Sequence, residues 1–151
     1  MFHILTPLFP LSQIDLYQNY LPPFKQAFKD NVYGVMFSFS SLNGIAMLTN
    51  KSITKDLLRD TYHYDGFSIT DYGAIKELIS YKVAKDSKEA SKLAISSGVD
   101  IEMATTCYNE SLYDLCMEDK KYIKYVDESC YRVLLAKYKI GLFDNNWFNW
   151  W

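Results

Sequence analysis

The sequence predicts an α/β fold made of parallel βα units. Short apolar runs alternate three times with segments of helical periodicity, and each run is too short and too apolar to have one face in solvent. Parallel strands buried on both faces have this pattern, because crossover helices cover the sheet. One run ends on the carboxylate of Asp71, and Gly73 follows two residues later. An acid at the carboxyl end of a buried parallel strand lies where β/α enzymes place their chemistry.

The three apolar runs are predicted as strands at residues 33–38, 67–70 and 99–103. The turn dipeptide Asp65-Gly66 starts the second run, and residues 42–44 form a loop after the first. No glycine-rich phosphate loop follows any of these runs, which disfavours a nucleotide-binding doubly wound fold. We therefore expect no cofactor.

Apolar residues at helical spacing predict a helix before, between and after these strands. The predicted helices cover residues 12–29, 52–61, 87–96, 107–117 and 122–138. Ser12 is a suitable N-cap for the first helix, and Pro22-Pro23 would bend or restart it. Asp86 or Ser87 opens the third helix.

Composition limits the classes of function. The chain has 151 residues, of which 49% are hydrophobic and 23% are charged, so it has enough apolar material for one globular domain. The formal net charge of −2 and the absence of a basic block argue against a nucleic-acid partner. The 13 tyrosines suit a protein that handles sugars, although compositional drift explains them equally well.

The cysteines and histidines do not form a recognisable metal or disulfide pattern. Cys107, Cys116 and Cys130 are odd in number and lack C-x-x-C spacing, while His3 and His63 lie far apart. We therefore expect neither a metal site nor a disulfide framework. Cys116 and Cys130 fall within helical patterns and are predicted to be small core residues.

The two ends of the chain differ from its middle. Residues 1–11 are apolar, but they have no basic region at the start and prolines interrupt them early. They predict neither a signal peptide nor a membrane-spanning segment, so we expect the chain as written to stay in the cytoplasm, away from membranes. Residues 146–151 form a tail that is rich in tryptophan.

Five segments carry a resemblance to a known family. They are VMFSFSSLNG at 35–44, LLRD at 57–60, DGFSITDYGA at 65–74, SGVDIEM at 97–103 and GLFDN at 141–145. In this order and spacing they resemble glycoside hydrolase family 3, the family of β-glucosidases and β-xylosidases. The resemblance runs from about residue 15 to residue 145, and it covers only the last part of the catalytic barrel of that family.

The resemblance implies a partial TIM-type (β/α)8 barrel, in which the three βα units are the sixth, seventh and eighth, followed by a C-terminal helix. The implied domain covers residues 12–145, between an unmatched segment at 1–11 and the tail at 146–151. The earlier barrel strands and the second domain of the family have no counterpart in this sequence. Full-length members of the family are often periplasmic or secreted.

The resemblance also assigns roles to individual residues. Asp71 aligns with the catalytic nucleophile of a retaining glycosidase, which works with a second carboxyl group roughly 5 Å away. Tyr72 stands where the family has a tryptophan that stacks on the sugar. Met36 and Phe39 align with a methionine and a tyrosine that line the sugar pocket, and Phe39 lacks the tyrosine hydroxyl. Without the resemblance, Asp71 would be read as a helix N-cap. For Met36 and Phe39, plain strand packing stays an alternative of equal weight to a role in the pocket.

Asp100 and Glu102 flank Ile101 in the third predicted strand. Alternation sends both side chains to the same face, as a pair of neighbouring carboxylates. The family has a similar acidic pair that does not act as the acid/base. We therefore interpret Asp100 and Glu102 as groups that organise a loop or accept hydrogen bonds.

The resemblance implies hydrolysis of O-glycosyl bonds in β-linked glucosides or xylosides, by a chain that needs the missing barrel half or the second domain as a partner. In the glucosidase branch, the acid/base glutamate belongs to that second domain. Two alternatives stay open. The chain is a non-catalytic remnant that binds sugar weakly or not at all, or it is an interaction module whose open strand edge pairs with a partner.

Overall fold

The computed structural model describes residues 11–144. Short helices and strands alternate in its first half, and longer α-helices fill the second. The elements are α1 (Gln13–Asp15), a π-helical turn (Leu16–Tyr20), α2 (Leu21–Lys29), β1 (Gly34–Phe37), β2 (Ser41–Leu42), β3 (Ile45–Ala46), a 3₁₀ turn (Met47–Thr49), a π-helix (Ser52–Thr61), β4 (Phe67–Thr70), α3 (Ala74–Ser80), α4 (Ser87–Ser96), α5 (Cys107–Glu118) and α6 (Lys121–Lys139). The segments predicted at 1–11 and 146–151 lie outside the described residues, apart from Leu11.

The first predicted helix is present as three consecutive helical pieces. The Ser12 hydroxyl accepts a hydrogen bond from the backbone N–H of Asp15, so Ser12 is the N-cap, as predicted. The prolines stand in the first turn of α2, where a missing N–H costs nothing. Pro22-Pro23 therefore restart the helix after the π-helical turn.

The first two predicted strands are confirmed. β1 pairs in parallel with β4, with Gly34 opposite Phe67 and Phe37 opposite Thr70. This register requires a glycine at residue 34, because a Cβ there would lie 2.6 Å from the Phe67 ring. The loop predicted at residues 42–44 is the turn of a small hairpin, in which β2 pairs with β3 and Asn43 has a φ of 50°.

The third predicted strand, residues 99–103, is wrong as a strand. It is reduced to a single parallel bridge between Ile101 and Ile69. Side chains of β4 replace the backbone partners on either side of this bridge. Asp100 donates its N–H to the Ser68 hydroxyl at 3.0 Å, and Met103 donates to the Thr70 hydroxyl at 3.0 Å. The segment still runs beside β4, but its backbone ladder is interrupted.

The helices pack around the sheet in two buried clusters. The larger one joins the end of β1 to α3 and α4, with Phe37, Ile75 and Val99 among its members. The smaller one lies between α4, α5 and α6 and contains Ile95, Leu115 and Tyr122.

No helix within residues 11–144 is both long and apolar enough to span a membrane. The cytoplasmic location stays a prediction. It was based on residues 1–11, of which only Leu11 is among the described residues.

The prediction that Cys130 belongs to the core is wrong. The buried side chains of α6 are Tyr122, Ser129 and Ala136, at a spacing of seven residues, and Cys130 is exposed beside this stripe. Cys116 is half-buried and packs against the smaller cluster. Cys107 is buried, and all three cysteines are free within the described part of the chain.

Candidate active site

Asp71 lies directly after β4, at the carboxyl end of the parallel pair. Its backbone N–H donates to the carbonyl of Phe37, the last residue of β1, at 3.1 Å. The residue is half-buried. The structure therefore places this carboxylate at the carboxyl edge of the sheet, as the alternation of strands and helices predicts.

Hydrogen bonds on both sides hold the backbone around Asp71. Thr70 is fully buried and donates its N–H to the carbonyl of Ile101 at 3.0 Å. Its hydroxyl accepts the N–H of Met103, and the Met103 carbonyl accepts the N–H of Gly73 at 3.0 Å. Asp71 is thus fixed by β1 on one side and by the segment around Met103 on the other.

The carboxylate itself has few partners. Oδ1 of Asp71 accepts the backbone N–H of Tyr72 at 2.6 Å. Within residues 11–144 no lysine, arginine or histidine forms an ion pair with it. The N-cap of α3 is Gly73, with a φ of 74°, and no side chain caps that helix. Asp71 is therefore not an N-cap, and its second oxygen has no hydrogen-bond partner within residues 11–144.

Two of the other predicted site residues, Met36 and Phe39, line different cavities in the described part of the chain. Met36 is 55% exposed and lines an apolar cavity of about 300 Å³ between α2 and β1. Phe39 is 42% exposed and lines a different cavity of about 230 Å³, next to α3. Tyr72 is 72% exposed, and neither Tyr72 nor Asp71 lines these two cavities. Their assignment as sugar-binding residues stays a prediction.

Glu102 caps the start of α5. Its carboxylate accepts the backbone N–H groups of Cys107 at 3.0 Å and Tyr108 at 2.7 Å, and also the hydroxyl of Thr105. Burial and the neighbouring Glu102 carboxylate raise the pKa of the Cys107 thiol, so that thiol is not activated. The structure agrees with the interpretation of Glu102 as a hydrogen-bonding group.

Asp100 is the centre of a buried ion cluster, which we define as Asp100, Arg59 and Arg132. Its side chain is fully buried and accepts a bidentate contact from Arg132, with the shortest distance at 2.7 Å, and one from Arg59 at 3.3 Å. The N–H of Ser68 and the hydroxyl of Ser129 complete its shell, both at 2.8 Å.

The sequence reasoning identified Asp100 as a hydrogen-bonding group but missed both of its arginines. Arg59 also donates to the carbonyls of Tyr64 at 2.8 Å and Gly66 at 2.6 Å, and so fixes the loop before β4. The cluster therefore holds the amino end of the strands. Within residues 11–144 no group of three or more His, Cys, Asp or Glu side chains could hold a metal ion.

Comparisons with known proteins show the family to which this chain is similar. The family model described as the glycosyl hydrolase family 3 N-terminal domain matches residues 2–136, so its match extends upstream of residue 12. The chain is 35% identical over 135 residues to a periplasmic β-glucosidase of Salmonella typhimurium, covering 89% of this chain and 18% of that protein. It is 34% identical over 143 residues to a β-xylosidase of Formosa agariphila, covering 89% of this chain and 20% of that protein.

A solved structure shows the same fold. The β-glucosidase of Listeria innocua superimposes with a TM-score of 0.86 and 38% identity, over 91% of this chain and 19% of that chain. This similarity confirms the α/β fold class. The chain spans about a fifth of the length of these relatives. The assignment of these units to a partial (β/α)8 barrel therefore stays a prediction.

Proposed function

Because this chain belongs to glycosyl hydrolase family 3, we propose that it is the nucleophile-bearing part of a retaining glycoside hydrolase. The observation that carries this proposal is the position of Asp71. It directly follows β4 and is not the N-cap of α3, and hydrogen bonds on both sides hold the backbone around it. Relatives named β-glucosidase and β-xylosidase support β-linked glucosides or xylosides as the substrates.

In the proposed reaction, an oxygen of Asp71 attacks the anomeric carbon and forms a covalent glycosyl-enzyme. The bond to the leaving-group oxygen breaks, and a second carboxyl group protonates that oxygen. The same group then takes a proton from water, which attacks the anomeric carbon and releases Asp71. Asp71 must be ionised to attack the anomeric carbon, and its Oδ1 already accepts the backbone N–H of Tyr72.

We propose that the second carboxyl group comes from outside this chain. The carboxylate of Glu102 accepts hydrogen bonds from the first backbone N–H groups of α5, and the carboxylate of Asp100 forms ion pairs with two arginines. Neither is therefore free to exchange protons with a substrate. A partner that supplies the missing barrel half or second domain would add the second carboxyl group. The same partner would complete the domain at residues 12–145.

A chimera tests the nucleophile assignment. We would replace the matching fifth of the Listeria innocua β-glucosidase with this chain and measure hydrolysis of aryl β-glucoside and β-xyloside. Asp71→Asn should lower turnover by at least about a thousandfold, because an amide cannot attack the anomeric carbon. Asp65→Asn is the matched control, since Asp65 is exposed and pairs only with Lys139, and it should keep turnover.

A covalent trap separates a nucleophile from a residue that is needed only for folding. A 2-deoxy-2-fluoro glycoside slows the breakdown of a glycosyl-enzyme, so the active chimera should carry the sugar on the peptide that contains Asp71. Mass spectrometry would detect this label. Label on another carboxylate, or full turnover by Asp71→Asn, would overturn the assignment.

A second candidate function is a non-catalytic module that binds sugar or a partner. The separation of Met36 and Phe39 into different cavities within the described residues favours it, because neither of these two cavities includes Asp71. In this case the chimera would be inactive with every variant. The isolated chain would still bind a sugar or a partner, and Asp71→Asn would leave that binding unchanged.

A further inference from the structure

A charged cavity lies at the amino end of the strands, away from Asp71. Its volume is about 260 Å³, and the π-helix Ser52–Thr61, the end of α4 and α6 form its walls. Gly98, which precedes the segment beside β4, is also part of the wall. The charged side chains that line this cavity are Lys55, Arg59, Lys124, Arg132, Asp60 and Glu128.

The floor of the cavity has more positive charge than negative charge. Arg59 and Arg132 share the single carboxylate of Asp100, so the ion cluster has a surplus of one positive charge. The two guanidinium side chains are only 14% and 15% exposed, and Asp100 is fully buried. An uncompensated charge in such surroundings is costly, because little water reaches it. The pKa of Arg59 is lowered by burial and by the neighbouring Arg132, which agrees with incomplete compensation.

The charged side chains at the rim of the cavity pair with one another. They therefore do not supply the negative charge that the ion cluster lacks. Lys55 pairs with Asp60 at 3.2 Å, and Lys124 approaches Glu128 at 3.7 Å. The four rim side chains are about half exposed or more, so water already screens them. The surplus charge therefore remains at the floor.

One donor of the floor is also without a partner. The Nε–H of Arg59 is buried and has no hydrogen-bond acceptor among the described residues. Arg132 differs, because its own Nε donates to Asp100 at 3.0 Å. Buried N–H groups are nearly always hydrogen-bonded, so this unpaired donor leaves the guanidinium of Arg59 less well satisfied than that of Arg132.

We propose that this cavity binds a tetrahedral oxyanion of the phosphate class. Phosphate presents several acceptor oxygens, suits the planar fork of arginine and carries nearly two negative charges near neutral pH. It would compensate the surplus charge of the ion cluster, whose two guanidinium side chains line the cavity. The cavity is larger than one phosphate, so both inorganic phosphate and the phosphate group of a phosphomonoester fit this chemistry.

Calorimetric titration of the whole chain tests this site. The probes are inorganic phosphate and 2-glycerophosphate, at constant ionic strength set with chloride. Because the ligand binds only the folded chain, each probe that binds should also raise the melting temperature. Inorganic phosphate alone would identify the free anion as the ligand, and equal or tighter binding of 2-glycerophosphate would identify a phosphomonoester.

Rim variants test the location without disturbing the ion cluster. Glu128→Gln removes a negative charge from the wall and should tighten phosphate binding about two- to fivefold, while Lys124→Gln should weaken it by a similar factor. Lys76→Gln is the matched control, because Lys76 is exposed on α3 and does not line the cavity. It changes the net charge as Lys124→Gln does and should leave binding unchanged.

Two results would overturn the proposal. The first is an absence of binding heat and of thermal stabilisation with both probes. The second is an equal effect of Lys124→Gln and Lys76→Gln, because binding would then follow net charge and not this cavity. Neither readout depends on glycosidase activity, so the oxyanion site and the nucleophile assignment can fail independently.

Discussion

A carboxylate lies near each end of β4, and the two carboxylates differ in burial and in the number of hydrogen bonds that they accept. Beside its amino end, Asp100 is fully buried and accepts hydrogen bonds from Arg59, Arg132, Ser129 and the backbone of Ser68. At its carboxyl end, Asp71 is half-buried and accepts only the N–H of the next residue among the described contacts. Hydrogen-bond donors therefore surround the carboxylate of Asp100, whereas Oδ2 of Asp71 has no hydrogen-bond partner within residues 11–144. In β/α barrels, stability and catalysis divide between the two ends of the strands in the same way.

The largest expected effect comes from the buried end. Asp100→Asn keeps the size of the side chain but leaves two buried guanidinium groups without a counter-charge. We expect the free energy of unfolding to fall by about 3–5 kcal/mol. Urea unfolding, followed by circular dichroism, measures this change.

Asp71→Asn is the matched control for that measurement, because it makes the same chemical change at the other end of β4. It should change the free energy of unfolding by less than about 0.5 kcal/mol, as expected for a side chain without an ion pair. Equal losses for the two variants would remove the distinction between the two ends.

A smaller effect is expected at Thr70, the last residue of β4. Thr70→Val removes the hydroxyl that accepts the N–H of Met103 and keeps the shape of the side chain. A partly buried N–H then loses its acceptor, so the free energy of unfolding should fall by about 0.5–1.5 kcal/mol. Hydrogen exchange should become faster at Met103 and at Gly73, whose N–H donates to the Met103 carbonyl.

Thr70→Ser is the control, because it keeps the hydroxyl. In the chimera, Thr70→Val should also lower turnover, since it loosens the backbone on one side of Asp71. Unchanged exchange at Met103 in Thr70→Val would show that the contact does not hold this segment.

The sequence pattern around β1 and β4 was sufficient to predict the carboxyl end of β4, where Asp71 lies. Apolar runs and turn residues indicate both strands of the parallel pair, and the carboxylate follows the second run directly. The same kind of pattern was available for α3 and was missed. Ala74, Ile75, Leu78 and Ile79 have helical spacing and are buried or half-buried in the structure.

The ion cluster could not be predicted in the same way. Arg59 and Arg132 lie 41 and 32 residues from Asp100, and nothing in the sequence indicates which charged residues leave the solvent. The failed third strand has the same origin. The hydroxyls of Ser68 and Thr70 accept its N–H groups across more than 30 residues, and that competition with the backbone ladder exists only in the folded chain.

The smallest effect appears only at alkaline pH, and it concerns the loop that Arg59 holds before β4. Burial raises the pKa of the Tyr64 hydroxyl to about 12, from an ordinary value of 10.0. The folded chain therefore keeps this proton at a pH where the unfolded chain has lost it. The stability that Tyr64 contributes is complete below pH 10, and it is lost as the pH rises through about 12.

Urea unfolding at a series of pH values measures this loss. Tyr64→Phe has no hydroxyl to ionise, so its stability should fall less steeply between about pH 10 and 12 than that of the natural chain. Near neutral pH the two should differ little, because the Tyr64 hydroxyl makes only a long contact of 3.4 Å with the Phe67 carbonyl. Tyr113→Phe is the matched control, since Tyr113 is 74% exposed, and its profile should follow that of the natural chain. Parallel profiles for all three proteins would show that the amino end of β4 does not hold Tyr64 away from water.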